Sequence, residues 1–185
     1  MEPIHISQTL SISNHRVFSA DLNEHDTVFG GKILATIDDN SSIAASRVAR
    51  IETVTVSVDQ VNFLLPFRLQ DSMCAESYVS GVGHRSIEVF TKIIGEHLKT
   101  GERFLGLTCF STFVVTDRNI ELPLLVADKP EYTFVAQGYQ ERQAARLAKL
   151  KRQQDFNAHI SVELPWWIDL NWQFWWDLLN CNYQI

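Results

Sequence analysis

The chain has 185 residues, with 22 acidic and 16 basic side chains, a net charge of -6 and an isoelectric point near 5.5. It is 45% hydrophobic and 21% charged, which excludes wholesale disorder and a fibrous class, and its length suits one domain plus an appendage. The acidic balance disfavours a nucleic-acid partner, and no stretch approaches the ~18 uninterrupted apolar residues of a membrane span.

In chain order, Thr9 to Phe18 reads as a strand and the polar run Ser19 to Thr27 as a loop. Phe29-Gly30-Gly31 then opens a helix over Lys32 to Arg47, in which Ile33, Ile37, Ile43, Ala44 and Val48 recur at helical spacing. Its many small residues predict close packing on a sheet. Thr53 to Val58 alternates strictly and continues as a strand through Phe63 to a break at Pro66. Further strands are expected over Asp71 to Ser80, Arg85 to Gly95 and Arg103 to Thr116, joined by turns at Gly81-Val82-Gly83-His84 and Lys99-Thr100-Gly101-Glu102. One segregated helix among strands joined by short turns indicates an α+β class with an antiparallel sheet. Residues 1–117 form this domain. Residues 118–139, with Pro123 and Pro130, are expected to be loop. Residues 140–185 hold a basic helix, Glu141 to Phe156, and a tail with all five tryptophans: Trp166, Trp167, Trp172, Trp175 and Trp176.

The glycines at the mouth of the first helix let a ligand approach the backbone closely. The first turn of a helix offers free N–H donors and the positive end of the macrodipole, which suits a carbonyl oxygen that becomes negative during attack. Asp38 lies seven residues past Gly31, about two turns on and on roughly the same helix face. A carboxylate on a small, apolar helix needs a role or a partner. Asn23, in the loop before the helix, has an amide able to orient a water or a carbonyl. Arg85, in the turn after Gly83, has a guanidinium suited to a phosphate or to a surface salt bridge, and His84 beside it reads as a solvated turn histidine near a phosphate rather than a general base. Cys74, Cys109 and Cys181 are few, odd in number and far apart, so neither a zinc site nor a disulfide framework fits. Cys74 and Cys109 fall in strand patterns and read as inert core thiols.

Three runs resemble, in order, the signature of hotdog-fold acyl-CoA thioesterases, the bacterial acyl-CoA hydrolases and their mammalian relatives. The first is Asp21-Leu22-Asn23 through Val28-Phe29-Gly30-Gly31 to Ile37-Asp38. The second is Val58 to Pro66, with Asn62-Phe63 followed by Pro66. The third is Gly83-His84-Arg85-Ser86-Ile87-Glu88-Val89. The resemblance spans about Ser11 to Thr116. It implies a hotdog fold, an antiparallel sheet wrapped around one long helix, and hydrolysis of an acyl-CoA thioester to CoA and a carboxylic acid, a step of fatty-acid metabolism. It further implies protomers paired edge to edge, a trimer of dimers (a hexamer), and active sites between protomers. Asp38 is then the general base or nucleophile, Asn23 assists, and the Gly31 N–H polarises the thioester carbonyl. Gly30, Asn62, Gly83, His84, Arg85 and Ser86 contact the substrate. No metal or organic cofactor is implied, CoA being part of the substrate. The sequence departs from the family pattern at His25 and Asp26, where relatives often carry a small residue or glycine.

Two other readings differ in chemistry. A hotdog module that binds acyl-CoA without turnover would not need Asp38 and Asn23. A hotdog dehydratase would need a catalytic histidine near the helix, and His25 precedes it by several residues. Met1 to Asn14 shows no basic n-region and no apolar core of signal-peptide length. With so few cysteines, the cytoplasm is the expected compartment. The tryptophan-rich tail is expected to dock on protein, a neighbouring subunit first, rather than to insert stably into a membrane.

Overall fold

The computed structural model describes residues 2–117 and 119–163. The chain divides into two compact units, 1–142 and 143–185. In the first, β1 (Ile4–His5) pairs in parallel with β7 (Leu125–Val126). The main sheet comprises β2 (Ser11–Arg16), β3 (Thr53–Phe63), β4 (Asp71–Val82), β5 (Ser86–His97) and β6 (Glu102–Val115). Its spatial order is β2-β4-β5-β6-β3 and every pairing is antiparallel.

Helix α1 (Gly30–Ala49) lies on one face of this sheet. Its apolar stripe, Ile33, Ile37, Ala44, Ala45 and Val48, is buried against strand residues such as Met73, Val79, Ile87, Ile93 and Phe113. The small side chains let helix and sheet approach closely, as the composition predicts. One buried polar knot fixes the helix in rotation. The Asn40 amide donates to the Ser11 and Ala75 carbonyls and to Ser77 Oγ, and accepts from Ser11 Oγ at 2.9 Å. A buried amide with all these bonds made tolerates no other register of the helix on β2 and β4.

The other face is also covered. Tyr78, Phe90 and Phe110 stand opposite one another on β4, β5 and β6, and Tyr132 packs on Tyr78 at 4.4 Å between ring centres. Tyr132 and Val135 belong to α2 (Pro130–Gln137). The expectation of loop over 118–139 is therefore corrected, for this stretch holds both β7 and α2. Pro130 starts the helix instead of breaking a segment, because the first helical position needs no N–H donor. Helix α3 (Tyr139–Ala158) matches the predicted basic helix, extended at both ends. Its Arg142, still in the first unit, pairs with the fully buried Glu88 at 2.8 Å and lies over the Phe110 ring. The tryptophans fall outside the described residues. No described helix is long and apolar enough to cross a membrane.

Candidate active site

The loop before α1 is built around two side chains. Asn23 Oδ1 accepts from the His25 N–H, the Thr27 N–H and Thr27 Oγ1 at 2.9–3.2 Å, so the Asn23 side-chain carbonyl is spent on the turn and its Nδ2 is the remaining donor. Asp26 holds the left-handed backbone conformation, φ 57°. Glycine adopts that region freely and Asp is tolerated there, which gives a physical reason for the departure from the family pattern at this position. Asp21 is nearly buried. Its carboxylate accepts from the Phe18 N–H at 2.8 Å, pairs with His15 Nε2 at 2.6 Å and binds Lys32 Nζ from the first turn of α1. The Lys32 ammonium, the Phe18 N–H and His15 together hold this carboxyl far below the usual carboxylate range. The Asp21 carbonyl accepts the Phe29 N–H at 2.9 Å. Asp21 thus ties strand β2, the Asn23 loop and the start of α1 into one piece.

No side chain caps α1. The Lys32 and Ile33 N–H groups bond to the Phe29 carbonyl, which leaves the Gly30 and Gly31 N–H groups as the open donors of the first turn. A Cβ on Gly31 would run into the Phe29 ring, whereas one on Gly30 would meet nothing within 4 Å. A side chain at Gly31 would displace the exposed Phe29 ring, and the space beside Gly30 is open.

Asp38 is half-buried on the α1 side facing β3, and Thr55 Oγ1 donates to its Oδ1 at 2.8 Å. Oδ2 carries no such bond. The neighbouring Asp39 is exposed, and Asn40 is the structural anchor already described. Three consecutive polar residues thus have three different fates, set by the rotation that Asn40 imposes. Thr55, as the hydrogen-bond partner of Asp38, is a candidate site residue that the sequence reading missed.

The predicted site residues form three groups in one chain. Gly30 and Gly31 form the first turn of α1, and Asn23 sits in the loop that leads into it. Asp38 and Thr55 lie about two turns further on, close to 10 Å along the axis at about 1.5 Å per residue. Gly83, His84, Arg85 and Ser86 make the β4–β5 turn, where the Gly83 N–H bonds to the Ser86 carbonyl at 2.7 Å. The register line Thr55, Phe113, Ile87, Val82 puts that turn at the Thr55 end of the sheet. Arg85 Nη2 donates to the Val115 carbonyl at 3.0 Å, while its buried Nε has no partner. Asn62 is exposed on β3, where its Nδ2 bonds to the Gln60 carbonyl at 3.0 Å. Burial pushes the Cys109 thiol up to about 12 and also raises Cys74, so neither is a thiolate at neutral pH.

The family model of the thioesterase superfamily matches residues 25–102. An uncharacterised acyl-CoA thioester hydrolase of Bacillus subtilis is 42% identical over 158 residues, covering 84% of this chain and 92% of its own. The chain belongs to the hotdog-fold acyl-CoA thioester hydrolase family. A solved acyl-CoA hydrolase from Bacillus cereus superposes with a TM-score of 0.82 at 34% identity, covering 86% of this chain and 99% of that one. The acyl-CoA hydrolase of Staphylococcus aureus, solved with butyryl-CoA, CoA and CoA disulfide, gives a TM-score of 0.77 at 28% identity over 84% of this chain and 99% of that one. Alanine variants of the same enzyme, each replacing one aspartate, threonine or asparagine, are also among the solved neighbours.

Proposed function

We propose that this protein hydrolyses acyl-CoA thioesters with Asp38 as the reactive carboxylate. The observation that carries the reading is the Asp38–Thr55 hydrogen bond on a helix whose first-turn N–H groups are open. The three residues replaced in the Staphylococcus aureus variants stand at the same sequence intervals as Asn23, Asp38 and Thr55, which supports the assignment. The Gly31 N–H donates to the thioester carbonyl oxygen, and Asn23 Nδ2 donates to the same oxygen or to a water. Thr55 fixes Asp38 Oδ1 so that Oδ2 faces the reaction. In one route Oδ2 takes a proton from water, whose oxygen bonds to the acyl carbon. The C–S bond then breaks, and CoA leaves as thiolate and is protonated. In the other, Oδ2 itself attacks, CoA leaves, and water hydrolyses the resulting anhydride. No cofactor enters either route. One turnover in ¹⁸O-labelled water tests the second route: label on Asp38 identifies it as the nucleophile, with water attacking the anhydride at the Asp38 carbonyl. Release of no thiol from any acyl-CoA would refute the reading.

The same reading calls for a second chain. A carbonyl held at Gly31 is too far from Asp38 of the same helix for one carboxylate to serve it, so the Asp38 that acts there comes from a partner. Strand β3 is a sheet edge with Val54, Val56 and Val58 exposed, and bare apolar edges are covered in stable proteins. A hexameric acyl-CoA thioesterase among the solved neighbours, 27% identical with a TM-score of 0.77, supports a trimer of dimers. The Gly83–Ser86 turn would meet the CoA phosphates, with the Arg85 guanidinium as the cation. Arg85→Ala is expected to raise KM for an acyl-CoA about tenfold at low salt and less at high salt. A phosphate-free pantetheine ester should show a much smaller change. Equal KM ratios for the two esters would remove Arg85 from phosphate binding.

A further inference from the structure

Within the run Gly83–Val89, Glu88 has no part in the substrate reading. Its neighbours Ile87 and Val89 pack beneath α1, so Glu88 points to the other face of the sheet, where its side chain is fully buried. One carboxylate oxygen, Oε1, accepts from Ser80 Oγ at 2.8 Å and from Arg142 Nε and Nη2 at 3.1 and 2.8 Å. Arg142 Nη2 also donates to the Val135 carbonyl of α2 at 2.8 Å, and its guanidinium lies 4.1 Å from the centre of the Phe110 ring. Directly opposite Glu88 on β4 is Gly81, and the Tyr139 ring lies where a Cβ on Gly81 would stand. Tyr139 and Arg142 both belong to the first turn of α3.

The β4–β5 register runs from Val79↔Val89 to Gly81↔Glu88, so Ser80 is an extra residue bulged out of β4. Only the pair Val82↔Ile87 separates this bulge from the Gly83–Ser86 turn. A slip of one residue would pair Ser80 with Glu88 and Gly81 with Ile87, turn over the end of β4 and lengthen the turn. Two contacts oppose that slip. Glu88, itself held by Arg142, holds the Ser80 hydroxyl. The slip would also put the Ser80 side chain where the Tyr139 ring leaves room for glycine alone.

We propose that the first turn of α3 is a positioning device for substrate binding. Tyr139 and Arg142 are positioning residues that act through Gly81 and Glu88: they pin the bulge at Ser80, and the pinned bulge presents the Gly83–Ser86 turn and its Arg85 to CoA. The inference rests on the reading given above, in which that turn meets the CoA phosphates. It gives the chain beyond the antiparallel sheet a part in binding, although none of its residues touches the substrate.

The test is steady-state kinetics of the intact oligomer on an acyl-CoA and on the phosphate-free pantetheine ester of the same acid. Tyr139→Ala, and Glu88→Leu combined with Arg142→Met, should each raise KM for the acyl-CoA about fivefold, with kcat within about twofold of the parent and the pantetheine ester unaffected. The double replacement removes both charges together, so no unpaired buried ion remains and the fold should hold. Gly81→Ala should act like Tyr139→Ala and add nothing to it, because the added Cβ matters only while the ring is there. Arg85→Ala combined with Tyr139→Ala should raise KM no further than Arg85→Ala alone. Leu147→Ala, exposed and further along α3, should change nothing. If the double replacement fails to assemble by light scattering, Tyr139→Ala and Gly81→Ala decide the matter. Normal KM in those two variants, or an equal rise for both esters, overturns the proposal while Arg85→Ala still raises KM. A silent Arg85→Ala would instead sink the phosphate reading of the turn and this proposal with it, and absence of all acyl-CoA hydrolysis would sink the thioesterase reading, so the failures are distinguishable.

Discussion

Asp38→Asn is expected to lower kcat by about 100-fold or more with little change in KM, the usual scale for removing a base or nucleophile. Asparagine keeps the shape and can still accept from Thr55 Oγ1 through its carbonyl, so the helix and its packing should survive. What it loses is the ability to take a proton or to attack as an anion. Asp39→Asn, one residue on and exposed, serves as the control and should stay near the parent rate. Thr55→Val should fall between the two, because it removes the bond that orients Oδ1 but leaves the carboxylate. Circular dichroism and light scattering on each variant separate lost chemistry from lost structure. A normal kcat in Asp38→Asn, with a large loss in Asp39→Asn, would show that the wrong carboxylate had been assigned.

The sequence was most informative where one physical period dominates. Strict alternation over Thr53–Val58 and the small-residue helical stripe after Gly31 located β3 and α1 to within a few residues. The same logic failed at Pro130, where a residue read as a breaker occupies the first position of α2. Thr55 was illegible for another reason. In sequence it is one β-branched residue among several in a strand, and its bond to Asp38 exists only because Asn40 sets the rotation of α1 and thereby aims Asp38 at β3. Asn40 in turn depends on Ser11, Ala75 and Ser77, from two strands distant in sequence. Asp21 was legible as part of a family motif but not as a fastening, because its partners His15, Phe18 and Lys32 only meet in three dimensions. Helical arithmetic puts Gly31 and Asp38 on one face, but sharing a face is not sharing a substrate atom when two turns separate them.

That separation yields the second large effect, which is a gain of activity. Asn23→Ala removes the loop amide near the Gly31 end, and Asp38→Ala removes the carboxylate about 10 Å away along the helix. Each variant alone should be nearly inactive. If each site takes its Gly31 and Asn23 from one chain and its Asp38 from a two-fold partner, an isologous mixed dimer concentrates both lesions in one site and leaves the other intact. Dissociating and reassembling equal amounts of the two variants makes half the dimers mixed, so about a quarter of all sites should be whole and activity should return to about that fraction of the parent. The double variant Asn23→Ala/Asp38→Ala, mixed with the parent protein, gives the converse control, since every mixed dimer then carries one lesion in each of its two sites. Light scattering on the parent should show a particle of at least twice the 21.2 kDa chain mass. A fully active monomer, or mixtures that never exceed the sum of the separate variants, would place Asn23, Gly31 and Asp38 in one chain's site, and the distance argument built on α1 would be wrong.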